Sequence, residues 1–185
     1  MMPELSLNIL DIAQNSIRAN AKLIQIIVTA DTQKNILHIL IEDDGCGMTQ
    51  EQINCVTDPF FTTRTTRKVG LGIPFFQCAA TATGGNLSIT STLGVGTKVN
   101  ADFVLSHIDR MPLGDMTSTI HTLITMNSDI DFLYTYTLDE KSFTLDTREL
   151  RNILGDVPFH VPEVSNYIKE YLSENKQEVD NGIIL

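Results

Sequence analysis

Several features that would assign the chain to a specialised class are absent from its sequence. The longest apolar runs, such as residues 36–41, stop far short of the roughly 18 residues that a transmembrane helix needs. The N-terminus has no basic stretch followed by an apolar one, and so shows no secretory signal. Only three cysteines are present, Cys46, Cys55 and Cys78, with no metal-type spacing and no disulfide framework. We therefore expect a cytoplasmic protein with reduced thiols and no membrane segment.

Basic residues are also scarce. The 185 residues include 13 lysines and arginines against 23 acidic residues, a formal net charge of −10. This balance makes the protein a poor candidate for non-specific nucleic-acid binding, which depends on basic side chains that neutralise phosphates. Arg64, Arg67 and Lys68 nevertheless lie within five residues of one another. A basic cluster of this size in an acidic protein favours a small anion over a nucleic acid.

The hydrophobic pattern predicts a regular order of helices and strands. With 42% hydrophobic residues, the chain can bury the core of one domain and carry a small appendage. Helical spacing, β-rich runs, a capping box and glycine turns mark the successive elements. They are a helix (4–20), two strands (23–30 and 35–43), a short helix (50–56), a loop (62–69), a helix (71–83) and two strands (86–92 and 97–105). A mixed, mostly antiparallel sheet with helices on one face would make a two-layer α/β sandwich.

The character of the chain changes after residue 105, which divides it into a domain (1–105) and a C-terminal appendage (106–185). The appendage holds fourteen acidic and six basic residues, a net charge of −8. Within it, residues 131–147 alternate and turn, which predicts a hairpin, and residues 163–179 predict an acidic amphipathic helix. We expect this appendage to face a partner protein or to dock on the domain. The sequence leaves the oligomeric state open.

Four local patterns carry residues suited to chemistry. Asp11, Asn15 and Arg18 share one face of the first helix, although a solvated face would have the same composition. DDGCGM (43–48) follows a strand, where an ordinary turn would also explain it. DPFFTTR (58–64) precedes GLGI, whose glycines leave backbone N–H groups at a helix start free for phosphate oxygens. The Walker A and six-residue dinucleotide motifs are both missing, which disfavours P-loop and Rossmann proteins.

In this order and at these separations, the four patterns closely resemble the GHKL superfamily of gyrase, heat-shock-90 chaperones, histidine kinases and MutL. NILDIAQNSIRANA resembles its N box, EDDGCGM its adenine-recognition loop, and DPFFTTR with VGLGI its phosphate-lid segments. GGNLSITSTLGVGTKVNADF resembles the last hairpin of a histidine-kinase catalytic domain. The resemblance covers about residues 4–105. It implies a Bergerat-type α/β sandwich that binds ATP with magnesium.

The resemblance also implies a role for individual residues. Asn15 would hold the magnesium ion that bridges the phosphates, and Arg18 would face phosphate. Asp43 would accept a hydrogen bond from the adenine amino group, with Thr97 near the same end through water. The other nucleotide-binding residues would be Gly45, Gly47 and Met48 of the adenine loop, Thr62, Thr63, Arg64 and Lys68 of the lid, and Gly70, Leu71, Gly72 and Ile73 around the phosphates.

Asp11 departs from the pattern of the ATP-hydrolysing members. These usually have glutamate four residues before the asparagine, as the general base that activates water. The aspartate stem is shorter by one C–C bond, roughly 1.5 Å. A shift of that size can cost about 100-fold when the geometry must be tight. With Asp11 as the candidate catalytic residue, we therefore expect ATP binding with slow hydrolysis.

Two further functions stay open at this point. One is a phosphotransferase that acts on a separate protein, as histidine kinases and anti-sigma-factor kinases do. The other is a non-enzymatic switch, in which ATP orders the lid and exposes or hides a binding surface. SHIDRMPL (106–113) resembles the kinase acceptor motif, but Asp109 lies two residues after His107 instead of one. A chance match in a loop that leaves a strand is the favoured interpretation of this segment.

Overall fold

Six helices and six strands lie within the residues that the computed structural model describes, which are 3–56, 72–155, 157–183 and 185. The helices are α1 (Leu5–Arg18), α2 (Gln50–Cys55), α3 (Gly72–Ala82), α4 (Met116–Met126), α5 (Thr147–Leu154) and α6 (Pro162–Asp180). The strands are β1 (Leu23–Asp31), β2 (Ile36–Asp43), β3 (Asn86–Thr92), β4 (Gly96–Val104), β5 (Asp131–Leu138) and β6 (Lys141–Asp146).

All six strands form one sheet, in the order β3-β4-β2-β1-β5-β6. Neighbouring strands are antiparallel except β1 and β5, which pair in parallel along their length. The predicted mixed, mostly antiparallel sheet is therefore confirmed. Because β2 pairs with β4, Asp43 at the end of β2 lies beside Thr97 near the start of β4. The pairing of these two strands thus brings together two residues that are 54 positions apart in the sequence.

Helices α1, α3, α4 and α6 pack against one face of the sheet, as the two-layer prediction requires. Burial alternates along β1, where Ile24, Ile26 and Val28 are buried and the residues between them are only half-buried. The buried side of α1, which includes Ile9, packs into the same core. The ring of Phe76 from α3 lies 5.6 Å from that of Phe103 on β4. This period-two pattern is typical of a sheet with one covered and one open face.

The C-terminal segment contributes to the same sheet. The predicted hairpin is present as β5 and β6, and β5 hydrogen-bonds to β1, so the sheet continues across residue 105. The predicted helix is present as α6, which buries Val164, Ile168 and Leu172. Two helices that we did not predict, α4 and α5, lie on either side of the hairpin in the chain.

None of the helices in the described part of the chain is long and apolar enough to cross a membrane. The longest, α6, has 19 residues and carries charged side chains throughout its length.

Candidate functional site

A cavity of about 370 Å³ opens between α1, the start of α3 and the adjoining ends of β2 and β4. Its apolar wall includes the buried side chains of Ile12, Ile41 and Val99. Its lining also includes eight of the residues predicted for the nucleotide site: Asn15, Arg18, Asp43, Gly47, Met48, Gly72, Ile73 and Thr97. A largely apolar cavity with a few polar side chains in its lining is typical of a small-molecule site.

Asp43 is held in place by two hydrogen-bond donors. The hydroxyl of Ser16, on α1, donates to Oδ2 at 2.5 Å, and the backbone N–H of Gly45 donates to Oδ1 at 3.0 Å. Each carboxylate oxygen therefore already accepts one hydrogen bond, which fixes the orientation of the group. An ionised carboxylate has about four lone-pair sites, so each oxygen can still accept from a ligand donor.

The loop after β2 is fixed by its backbone. The N–H of Cys46 donates to the carbonyl of Ala19 at 2.9 Å, and its own carbonyl accepts from the N–H of Gly94 at 2.7 Å. Gly47 has φ of +64°, and a Cβ at that position would collide with the carbonyl of Thr92. Glycine at 47 therefore allows the loop to lie directly against the β3–β4 turn.

Ser91 connects this loop to the start of β4. Its Oγ accepts from the N–H of Met48 at 2.8 Å. The same atom lies 2.8 Å from the carbonyl oxygen of Gly96 and 2.9 Å from Oγ1 of Thr97. Sequence reasoning missed Ser91 and also Ser16, because the resemblance implied no role for either. Both serines lie inside segments that carry the resemblance, and Ser16 directly follows Asn15, which was the available signal.

The polar side chains of α1 lie in two places, some in the lining of the cavity and one against the start of α3. Nη1 of Arg18 donates to Oδ1 of Asn15 at 3.0 Å, and both side chains line the cavity. Asp11 does not appear among the described residues of the lining. A Cβ at Gly72 would collide with its carboxylate, so Asp11 lies directly against the first residue of α3.

Several predicted site residues lie outside the described residues. They are Thr62, Thr63, Arg64, Lys68, Gly70 and Leu71. Their assignment to the phosphates and the lid stays a prediction.

His107 lies at the far end of β4 from the cavity. Thr97 lines the cavity, whereas His107 follows the last residue of that strand, Val104. Val104 lies seven residue steps along the extended strand from Thr97, or about 23 Å at roughly 3.3 Å per residue. Nδ1 of His107 accepts a hydrogen bond from the N–H of Asp109 at 3.1 Å.

Comparison with known families agrees with this geometry. Residues 3–107 match the model of the histidine kinase-, DNA gyrase B- and HSP90-like ATPases. The chain belongs to this family. The matched GHKL ATPase segment contains every residue that we predicted for the site, and it ends just after β4.

Two curated relatives of this GHKL protein are a sensor protein and a histidine protein kinase. A sensor protein of Shewanella frigidimarina is 35% identical over 85 residues, which are 45% of this chain and 13% of that protein. The histidine protein kinase DivJ of Caulobacter vibrioides is 28% identical over 96 residues, which are 50% of this chain and 16% of that protein. The chain thus matches only a small part of the length of either relative.

Solved structures share the fold at low sequence identity. The N-terminal domain of a DNA repair protein has a TM-score of 0.58 at 18% identity, over 78% of this chain and 53% of the other. The Aquifex aeolicus MutL ATPase domain, solved as a complex with ADP, has a TM-score of 0.51 at 12% identity, over 83% of this chain and 70% of the other. Both similarities identify the GHKL fold.

Proposed function

We propose that the cavity between α1, α3, β2 and β4 binds ATP. The observation that supports this most strongly is the fixed carboxylate of Asp43 in the lining of a largely apolar cavity. In this site Asp43 accepts a hydrogen bond from the adenine amino group, and Thr97 lies beside it. The apolar wall packs against the faces of the base.

The phosphates would lie toward α1 and the start of α3. Arg18 offers a guanidinium to them, and Asn15 offers an amide oxygen, a ligand type that Mg²⁺ prefers. No group of three or more His, Cys, Asp or Glu side chains within the described ranges could hold a metal ion. This donor set fits a magnesium ion that arrives with the nucleotide and takes most of its ligands from phosphate and water. When bound, the ion would neutralise phosphate charge.

Slow hydrolysis with Asp11 as the general base is the proposed reaction. Its carboxylate lies against Gly72, at the end of the cavity where the phosphates are expected. The short stem of aspartate limits its reach toward an attacking water, so turnover should be slow. Replacing Asp11 with asparagine should leave ATP binding within about threefold of the wild type and abolish the release of phosphate.

Phosphotransfer to a separate protein is the second candidate function. The similarity to a histidine protein kinase and to a sensor protein supports it. The distance of about 23 Å along β4 argues against His107 as an acceptor within the same molecule. The acidic C-terminal segment is the surface that we propose for the partner. A nucleotide-gated adaptor without catalysis is the remaining alternative.

Two successive measurements on one protein sample can distinguish these functions. The protein is titrated with ATP and MgCl₂ by calorimetry and then incubated with ATP labelled at the γ-phosphate. Binding followed by release of labelled phosphate, lost in Asp11→Asn, is the expected result. Label transferred to protein would favour the kinase, and unaltered ATP after long incubation would favour the adaptor. Absence of binding at millimolar ATP would contradict the proposed function itself.

A further inference from the structure

We propose that Ser91 is a positioning residue that makes Thr97 a hydrogen-bond acceptor toward the base. Ser91 would thereby strengthen the preference of the site for a purine that presents an amino group over one that presents a carbonyl group. The inference rests on the proposed function, because it concerns the nucleotide that we place in the cavity.

The hydrogen atoms around Ser91 can be assigned by elimination. Its Oγ contacts a backbone N–H of Met48, a carbonyl oxygen of Gly96 and the hydroxyl of Thr97, all within 2.9 Å. The N–H can only donate and the carbonyl can only accept, so the single hydroxyl proton of Ser91 goes to the carbonyl. All three contacts are then hydrogen bonds only if the hydroxyl of Thr97 donates to Ser91.

This assignment decides what Thr97 can offer a ligand. With its only proton directed to Ser91, the hydroxyl oxygen of Thr97 has just lone pairs for the cavity that it lines. Asp43, its cross-strand neighbour, is likewise an acceptor when ionised. The part of the cavity that these two residues line therefore presents acceptors to a ligand. A base with an amino group there gains hydrogen bonds, whereas a carbonyl oxygen faces other lone pairs.

Replacing Ser91 with alanine should change this balance. The hydroxyl of Thr97 would lose its acceptor and could turn its proton toward the cavity, where it can donate to a carbonyl oxygen. Met48 would also lose the partner of its N–H, so the affinity for every nucleotide should fall. The change in preference between two bases is the effect that a purely structural role for Ser91 would not produce.

The test compares the binding of ADP and IDP, which carries a carbonyl group in place of the adenine amino group. Both are titrated calorimetrically, with magnesium, into the wild type, Ser91→Ala and Ser91→Thr. Ser88→Ala is the matched control, because Ser88 is an exposed serine of the same strand. The wild type should prefer ADP, and Ser91→Ala should reduce that preference by about threefold to tenfold, the range of one neutral hydrogen bond. The control and Ser91→Thr, which keeps the hydroxyl, should retain the wild-type preference.

The possible failures are distinguishable. If Ser91→Ala weakens ADP and IDP equally, or changes neither, the inference is overturned while the proposed function stands. If the wild type binds neither nucleotide, the proposed function is contradicted, and the inference about Ser91 is contradicted with it. Circular dichroism confirms that each variant is folded. Should Ser91→Ala not fold, Ser91→Cys keeps a side chain of similar size whose thiol is only a weak donor and acceptor, and a smaller loss of preference in the same direction is expected.

Discussion

At the scale of single residues, Asp43 is the side chain on which nucleotide binding depends most. Asp43→Asn keeps one oxygen but introduces an NH₂ group, which is a hydrogen-bond donor. In any orientation this group faces another donor: Ser16, the N–H of Gly45 or the adenine amino group. We expect ATP binding to weaken by about 1.5–3 kcal/mol, roughly 10- to 150-fold in Kd, because a charge-assisted hydrogen bond is lost. Calorimetry measures this change.

The neighbouring acid provides the control for that variant. Glu42 lies on the other face of the sheet, where it pairs with Lys98 at 3.2 Å. Glu42→Gln removes the same charge one residue away and should leave Kd within about twofold. Equal affinities for the wild type and Asp43→Asn would remove Asp43 from the site.

Two buried tyrosines of β5 give a second residue-scale prediction, on stability. The hydroxyl of Tyr136 donates to Asp180 at 3.1 Å, whereas that of Tyr134 is buried without a hydrogen-bond partner among the described residues. Tyr134→Phe should therefore raise the free energy of unfolding by about 1 kcal/mol, and Tyr136→Phe should lower it by about 1–2 kcal/mol. Urea unfolding of the two variants provides the measurement. Equal destabilisation by both would mean that the hydroxyl of Tyr134 is satisfied in solution.

At the scale of elements, the position of β5 has the largest consequence. It fills the side of β1 that β2 leaves open, and so β1 becomes an interior strand. A fragment of residues 1–105 would expose this strand as an edge and uncover part of its buried face. Exposed apolar edges pair with other chains. We therefore expect the fragment to aggregate.

Size-exclusion chromatography and thermal unfolding test this expectation. The fragment should elute as aggregates without a cooperative transition, whereas the full chain should elute as a defined species and unfold cooperatively. A soluble fragment with a sharp transition would show instead that residues 1–105 fold alone. The predicted domain boundary at residue 105 is tested by the same experiment.

Local sequence patterns predicted most elements but not their assembly. The boundaries of α1, β1 and β2 follow from apolar spacing, and the capping box of Thr49 and Gln52 begins α2 as predicted. Helix α4 was missed because its sequence is rich in threonine and isoleucine, which are weak helix formers. Packing of its buried face, including Ile120 and Leu123, provides the stability that propensity does not. The parallel pairing of β5 with β1 depends on contacts far apart in sequence, which no local pattern contains.

The candidate site could likewise be predicted only in part from the sequence. The motifs identified Asn15, Arg18, Asp43 and Thr97, which the structure places around one cavity. They did not identify the serines that orient Asp43 and Thr97, because those contacts arise between elements. A motif thus identified the groups that would contact the nucleotide. The tertiary structure is needed to show which neighbours hold them.

At the scale of the whole molecule, the sheet is shared by the GHKL segment and the acidic C-terminal segment. Strand β1 joins β2, which ends at Asp43, to β5, which begins the C-terminal hairpin. A partner that bound the C-terminal segment would therefore contact the same sheet that carries Asp43 of the candidate site. This arrangement would connect the proposed partner surface to the candidate site through one sheet.

Every functional proposal above depends on nucleotide binding in the cavity between α1, α3, β2 and β4. Titration of ¹⁵N-labelled protein with ADP and magnesium, followed by two-dimensional NMR spectra, tests both binding and its location. Amide shifts should concentrate at Gly45, Gly47, Gly72 and Thr97 and saturate with a single affinity. Shifts concentrated on α4 and α6, or none at millimolar ADP, would contradict the account.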